Sequence, residues 1–159
     1  MANIIPSRPR QIGSRRTFAI VASNYHQEYV DGMIAHVERE LDVIAPGGFI
    51  QRYDVPGAFE IPLIVQEVAL RGGVDVIIAL GVIIEGETAH GSLIGETITK
   101  SLQQLSITHR LPIVHEVLLM KDEAQARVRC LEEEMNRGTE AARVAVRMIE
   151  AMGVFSSRR

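Results

Sequence analysis

Strand-like periods alternate with helix-like periods along nearly the whole chain, and this alternation constrains the fold more than any other feature. Residues 17–23 form a short, mostly apolar run, the pattern of a strand buried on both faces. Val30, Met33, Ile34, Val37, Leu41 and Ile44 then recur at helical spacing, and Ala45-Pro46-Gly47-Gly48 ends that helix. Residues 49–55 read as a second strand, and Ile61, Ile64, Val65 and Val68 as a helix closed by Gly72-Gly73. The strongest apolar run, 74–84, reads as a central strand. A helix over 90–107, a strand over 112–119 and helices over 123–129 and 138–152 follow, the last with Ala141, Ala145, Met148 and Met152 inward. Strands alternating with helices predict a parallel sheet covered on both faces, with right-handed crossovers.

The expected fold is therefore a three-layer α/β/α sandwich on a four-stranded, flavodoxin-like parallel sheet. A chain of 159 residues can bury such a core without disulfides or metals. Residues 17–159 read as one domain, preceded by a flexible or partner-docking arm over 1–16 that carries Arg8, Arg10, Arg15 and Arg16 and no acid. The arm lacks the apolar middle of a secretory signal. A net charge of -3 supplies no basic field for nucleic acid. No apolar run approaches the roughly 20 residues of a membrane span, so neither nucleic acid nor membrane is expected as a partner. The single cysteine, Cys130, fits a reducing, cytoplasmic setting. No histidine pair has metal-ligand spacing, and neither Gly-x-Gly-x-x-Gly nor a phosphate-loop lysine occurs, so no metal or nucleotide site is expected.

Ligands in such sheets bind outside the carboxyl ends of the strands, which directs attention to the loops after Ser23, Val55, Ile84 and Leu119. In the first, Tyr25 can stack on a flat ring and Asn24 or His26 can bond its edge; equally, Asn24 can simply cap the next helix. In the second, Pro56-Gly57 is a turn that allows close approach to the backbone, and Pro62 suits a first helical turn. Glu60 then sits at a helix start, beside donors suited to an anion or a polyhydroxyl chain, or compensates the macrodipole. In the third, Gly86 and the next amides can cradle an anion with the Thr88 hydroxyl as an added donor, although Glu85 and Glu87 oppose a simple phosphate loop. His90 follows at the helix entry, where a group titrating near neutrality can move protons both ways. His36 and His109 read as ordinary surface positions, His115 as core or pocket lining, and Glu132-Glu133-Glu134 as a solvated face.

Val55-Pro56-Gly57-Ala58-Phe59-Glu60-Ile61-Pro62 and Gly86-Glu87-Thr88-Ala89-His90 resemble, in sequence, order and separation, the two signature loops of the lumazine synthases. Similarity runs from Thr17 to about Met152 and includes Asn136-Arg137-Gly138. The resemblance implies an enzyme that condenses 5-amino-6-ribitylaminouracil with 3,4-dihydroxy-2-butanone 4-phosphate, without cofactor or metal. It implies that Tyr25 stacks on the pyrimidine and that His26 meets the ring edge. Gly57, Ala58 and Glu60 would hold the ribityl chain, and Ile83 and Ile84 would line the pyrimidine site. Gly86, Glu87 and Thr88 would receive the phosphate together with Arg129, His90 would transfer protons, and Arg137 would stand near the pyrimidine. It also implies a homo-oligomer, a pentamer or an assembly of pentamers, with Arg129 reaching a neighbour's site and the arm from Ile4 to Ile12 docking on a neighbour.

The chain departs from the family pattern in three places. Gly91-Ser92 follows His90 where an aromatic and an acid are usual, and His115-Glu116 replaces an aromatic-glycine pair at the pocket wall. Residues 131–135 replace a loop containing glycine and lysine. These changes leave open a scaffold that binds lumazine or flavin without turnover; a related archaeal-type riboflavin synthase is the second alternative. The Pro56 to Pro62 loop and His90 point away from the second.

Overall fold

The computed structural model describes residues 4–13, 15–86 and 90–156. In chain order these form β1 (Thr17–Ser23), α1 (Gln27–Ile44), β2 (Phe49–Val55), a 3-10 turn (Ala58–Glu60), α2 (Ile61–Arg71), β3 (Val76–Ile84), α3 (His90–His109), β4 (Ile113–Met120), α4 (Glu123–Cys130) and α5 (Arg137–Ser156). The strands make one parallel sheet in the order β2-β1-β3-β4. Side chains along β1 alternate between its two faces. Phe18, Ile20 and Ala22 meet Val30, Met33 and Val37 of α1 and Ala141, Ala145 and Ile149 of α5. Ala19 and Val21 meet Ile61 and Val65 of α2 and Ile98 and Leu102 of α3. The result is the three-layer sandwich that the alternating periods predict, with β1 and β3 central. Each large aliphatic side chain so buried contributes about 1.5–3 kcal/mol.

Element ends differ from the sequence reading by one to four residues, for local reasons. β3 starts at Val76, because Asp75 spends its backbone on Thr17 O (2.9 Å) and its carboxylate on Thr17 N–H (2.8 Å). α3 runs on to His109 and stops where Arg110 takes a positive φ of 52°. The cap of α1 is His26, with φ 55° and no side-chain cap bond; Asn24 instead donates its backbone N–H to Val55 O at 2.8 Å, tying the ends of β1 and β2 together.

Two side-chain expectations are corrected. Met148 is 38% exposed, because α5 turns Ala141, Ala142, Ala145, Val146 and Ile149 inward and leaves Met148 on the flank. His36 is a buried residue of α1, 6% exposed. Its Nδ1 accepts from the Arg39 guanidinium at 2.8 Å, and Thr139 Oγ1 lies 3.3 Å from the same nitrogen. Burial, and then the Arg39 charge, hold the imidazole below its ordinary pKa. The acidic run, by contrast, is exposed as expected, with Glu133 paired to Arg39 at 2.8 Å.

The arm lies along its own α1 and α5. Glu40 is buried and accepts Arg8 Nε and Nη2 at 2.8 Å each and Arg143 Nε at 2.7 Å. Arg143 Nη1 and Arg147 Nη2 donate to the carbonyls of Pro6 and Ser7, both at 2.7 Å. The hydrogen bond from Arg8 is the main cause that holds the Glu40 carboxyl below the usual carboxylate range. The folded pKa is lowered, so this stabilisation is present above the ordinary carboxylate value and is lost as pH falls through the folded one. Glu40→Ala is expected to release the arm. Tryptic cleavage after Arg10, which Gln11 follows, should accelerate several-fold with the helical circular dichroism unchanged. Cleavage at the wild-type rate would assign the hold to Gln11 and Ile12, whose side chain and backbone bond the carbonyls of Val43 and Ile44.

Candidate active site

At the carboxyl end of the sheet, the turns leaving β1, β2 and β3 and the first turn of α3 enclose a cavity of about 350 Å³. Pairing along the parallel strands fixes its rim: Ser23 lies beside Val55, so Tyr25 and Gly57 follow from neighbouring strand ends. The cavity brings together Tyr25, His26, Gly57, Ala58, Glu60, Ile83, Ile84, Gly86 and His90, nine of the residues singled out from the sequence. Glu87 and Thr88 lie outside the described residues.

The local chemistry follows from backbone geometry. His26 sits in the left-handed region, uncommon for a non-glycine residue, and its ring meets that of Tyr25 edge to face at 4.7 Å. Tyr25 is left 69% exposed at the cavity mouth, an aromatic face with no covering neighbour in the chain's own core. Gly57 N–H donates to the Glu60 carboxylate at 2.9 Å, which holds that acid against its own turn. Ile83 and Ile84, half-buried at the end of β3, supply an apolar wall. His90 is the first residue of α3, exposed into the cavity. A Cβ at Gly91 would come within 3.3 Å of Ile83 Cγ2, so the glycine lets α3 approach β3 closely and sets His90 over that wall. An apolar slot with an aromatic lip, a carboxylate at one side and an imidazole at another can hold a flat polar ring and move protons at its edge.

Phe59, Val82, Gly91 and Ile94 also line this cavity. The sequence reading gave them no role; Phe59 stood within the motif, but an apolar residue in a turn carries no signal of its own. Among the described residues no group of three His, Cys, Asp or Glu side chains could hold a metal ion. No described helix is long and apolar enough to cross a membrane.

Three expected site residues lie elsewhere. Arg129, half-buried on α4, lines neither this cavity nor the next. His115 and Arg137 line a second cavity of about 420 Å³ between α3 and β4, with Ser92 and Thr99. Of the two readings open for His115, the structure thus gives pocket lining. The Val117 N–H donates to His115 Nδ1 at 3.1 Å, so Nε2 carries the proton and donates to Thr99 Oγ1 at 2.8 Å. Thr99 in turn donates to Gly95 O at 2.8 Å. Burial lowers the imidazole's pKa in the same direction, toward the neutral ring. On the opposite face of β4, Glu116 is only 4% exposed and accepts from Arg137 Nε at 3.1 Å. Arg137 also donates to Glu140. Burial pushes the Glu116 carboxyl up to about 7, and Arg137 offsets part of that rise.

The family model described as 6,7-dimethyl-8-ribityllumazine synthase matches residues 15–153. The chain is 34% identical over 147 residues to the 6,7-dimethyl-8-ribityllumazine synthase of Nitrosospira multiformis, covering 92% of this chain and 89% of that protein. It is 35% identical over 145 residues to that of Chlorobium limicola, covering 87% and 90%. It is 34% identical over 142 residues to that of Kineococcus radiotolerans, covering 88% and 87%. The matched region runs from the residues before β1 into the last turns of α5, so it includes every strand and every loop that builds the cavity. On that extent of agreement, the chain belongs to the 6,7-dimethyl-8-ribityllumazine synthase family.

Proposed function

We propose that the protein condenses 5-amino-6-(D-ribitylamino)uracil with 3,4-dihydroxy-2-butanone 4-phosphate to 6,7-dimethyl-8-ribityllumazine, releasing phosphate and water. The observation that carries this reading is the convergence of Tyr25, Glu60, Ile83, Ile84 and His90 on one cavity from three strand ends. Tyr25 stacks on the pyrimidine with Ile83 and Ile84 beneath it, and His26 meets the ring edge. Gly57, Ala58 and Glu60 take the ribityl hydroxyls, and Gly86, Glu87 and Thr88 receive the phosphate. Imine formation, phosphate loss and ring closure are proton transfers, and one placed imidazole such as His90 contributes about 10²–10⁴-fold to steps of that kind. Holding both substrates side by side contributes further through effective molarity.

The working unit in this reading is a ring of identical chains, a pentamer or an assembly of pentamers, with no nucleic acid or membrane partner. Its support is the division of the site residues: His115 and Arg137 line a cavity other than that of Tyr25 and Arg129 lines neither, which in this reading leaves all three to a neighbour's site. A cytoplasmic, reducing setting suits the buried Cys130, whose thiol burial pushes up to about 12.

Purified protein mixed with both substrates should yield lumazine absorbance and free phosphate in equal amounts. Binding without turnover would turn the reading toward a scaffold. Native mass spectrometry of the same sample should give multiples of five chains, and a fully active monomer would sink the shared site. Arg129→Ala should weaken the phosphorylated substrate by about 1.5–3 kcal/mol, the cost of one charge-assisted contact, and leave the pyrimidine almost unaffected. Equal weakening of both substrates would make Arg129 structural.

A further inference from the structure

β4 is an edge strand, and the pleat sends His115 toward α3 and Glu116 toward α5. Arg137, the first residue of α5, belongs to both environments. It pairs with Glu116 and Glu140 on the α5 side and lines the cavity on the α3 side. Its side chain is only 12% exposed and Glu116 less still, so the guanidinium has little freedom to choose another direction. A bare arginine at a helix start would sample many rotamers; an arginine anchored through Nε to a buried carboxylate presents one edge. We propose that Glu116 is a positioning residue: through its ion pair it fixes the direction of the Arg137 guanidinium in the cavity between α3 and β4, and so sets the affinity of the site that this cavity completes. The proposal rests on the reading that a neighbouring chain joins this cavity to a Tyr25 pocket, with the pyrimidine between them.

The charge balance makes the device sensitive to pH. Glu116 faces Arg137 and Glu140 of α5 and the Cys130 thiol of α4, while Glu96 of α3 and the neutral His115 line the cavity beyond the strand. Two acids share one guanidinium. With both ionised the trio carries one negative charge, and with Glu116 protonated it is neutral and the pull on Arg137 Nε is weaker. Ionisation of Glu116 as pH rises through about 7 therefore tightens the anchor.

The test uses the full-length assembly, with the pyrimidine substrate titrated alone and steady-state turnover measured beside it. In wild type, pyrimidine affinity should rise with pH across the interval around 7, where Glu116 ionises. Glu116→Gln keeps an acceptor for Nε without the charge. It should raise the pyrimidine KM by about tenfold, leave kcat within about twofold and abolish the pH dependence of binding. Glu116→Asp, which keeps the charge, should restore that pH dependence in part. In an Arg137→Ala background, Glu116→Gln should have no further effect on KM, because its action passes through the arginine. Full additivity of the two substitutions would overturn the proposal, and so would wild-type affinity and pH dependence in Glu116→Gln. If Glu116→Gln fails to assemble, Glu116→Asp and Arg137→Ala still decide between the outcomes by their pH profiles. A wild-type protein that forms no lumazine would overturn the functional reading itself, and the positioning role with it.

Discussion

Replacing His90 by alanine is expected to lower turnover by about 10- to 10³-fold while leaving pyrimidine binding nearly intact. The separation of the two effects comes from the geometry. The proposed pyrimidine contacts belong to Tyr25 after β1 and to Ile83 and Ile84 on β3, whereas His90 belongs to the first turn of α3. Removing the imidazole leaves the aromatic lip and the apolar wall in place and takes away only a group that carries protons. The close approach of α3 to β3 is governed by Gly91, not by the His90 side chain, so the helix should not shift. Steady-state kinetics beside a fluorescence titration of the pyrimidine would measure both quantities. An unchanged kcat, under conditions where chemistry limits the rate, would remove His90 from the mechanism. The Gly91-Ser92 pair bears on the size of the effect, because no acid follows His90 there to orient it. That places the expected loss toward the lower half of the range.

Gly138→Ala is expected to be the most destabilising alanine substitution at a helical glycine. A Cβ there would sit on the carbonyl oxygen of Met33 and within 3.0 Å of Asn136 Oδ1. The obstacle is backbone, so no rotamer change can relieve it, and α5 would have to lift from α1. Overpacking of this kind costs about 1–3 kcal/mol, and each kcal/mol lowers Tm by about 2–4 °C in a domain of this size. The same residue is N–H donor to Asn136 Oδ1 at 2.8 Å, the cap that starts α5 beside Arg137. The variant should therefore also disturb the cavity between α3 and β4. Gly153→Ala on the same helix is the control. A Cβ there meets nothing within 4 Å, so the change should be neutral or stabilising by up to about 1 kcal/mol. Thermal unfolding of the two variants side by side should show a lowered Tm for Gly138→Ala and an unchanged or raised Tm for Gly153→Ala. Equal melting temperatures would mean that α1 and α5 can separate at little cost.

The elements were legible because their apolar periods survive in the folded chain: Val30, Met33, Ile34, Val37, Leu41 and Ile44 are all buried on one stripe of α1. The position of the first cavity was legible for a topological reason, since ligands of parallel sheets gather where the strands end. Other features depend on partners distant in sequence. Nothing around His36 announces that Thr139, 103 residues on, will come within 3.3 Å of its ring. The left-handed cap at His26 replaces a cap that Asn24 could equally have made, and local preference does not separate the two. Glu116 stands in an apolar strand where an unpaired acid would be costly, and only the fold reveals Arg137 beside it. Met148 matched the helical period but lies outside the stripe of α5 that is buried, which runs through Ala141, Ala142, Ala145, Val146 and Ile149.

The position of β1 inside the sheet has a consequence for the protein's synthesis. As the chain leaves the ribosome, β1, α1 and β2 emerge first, and β1 must accept β3 on its free side much later. The layer of α2 and α3 can close once β3 and α3 are available. The other layer cannot, because the apolar stripe of α1 is covered by Ala141, Ala142, Ala145, Val146 and Ile149 of the final helix. From the emergence of α3 until that of α5 the nascent chain therefore carries one finished wall and one sticky, uncovered one, a state exposed to aggregation and to chaperone capture. A premature stop codon just before Arg137 would spare all four strands and still leave that wall open, so the truncated product is expected to be cleared rather than stored.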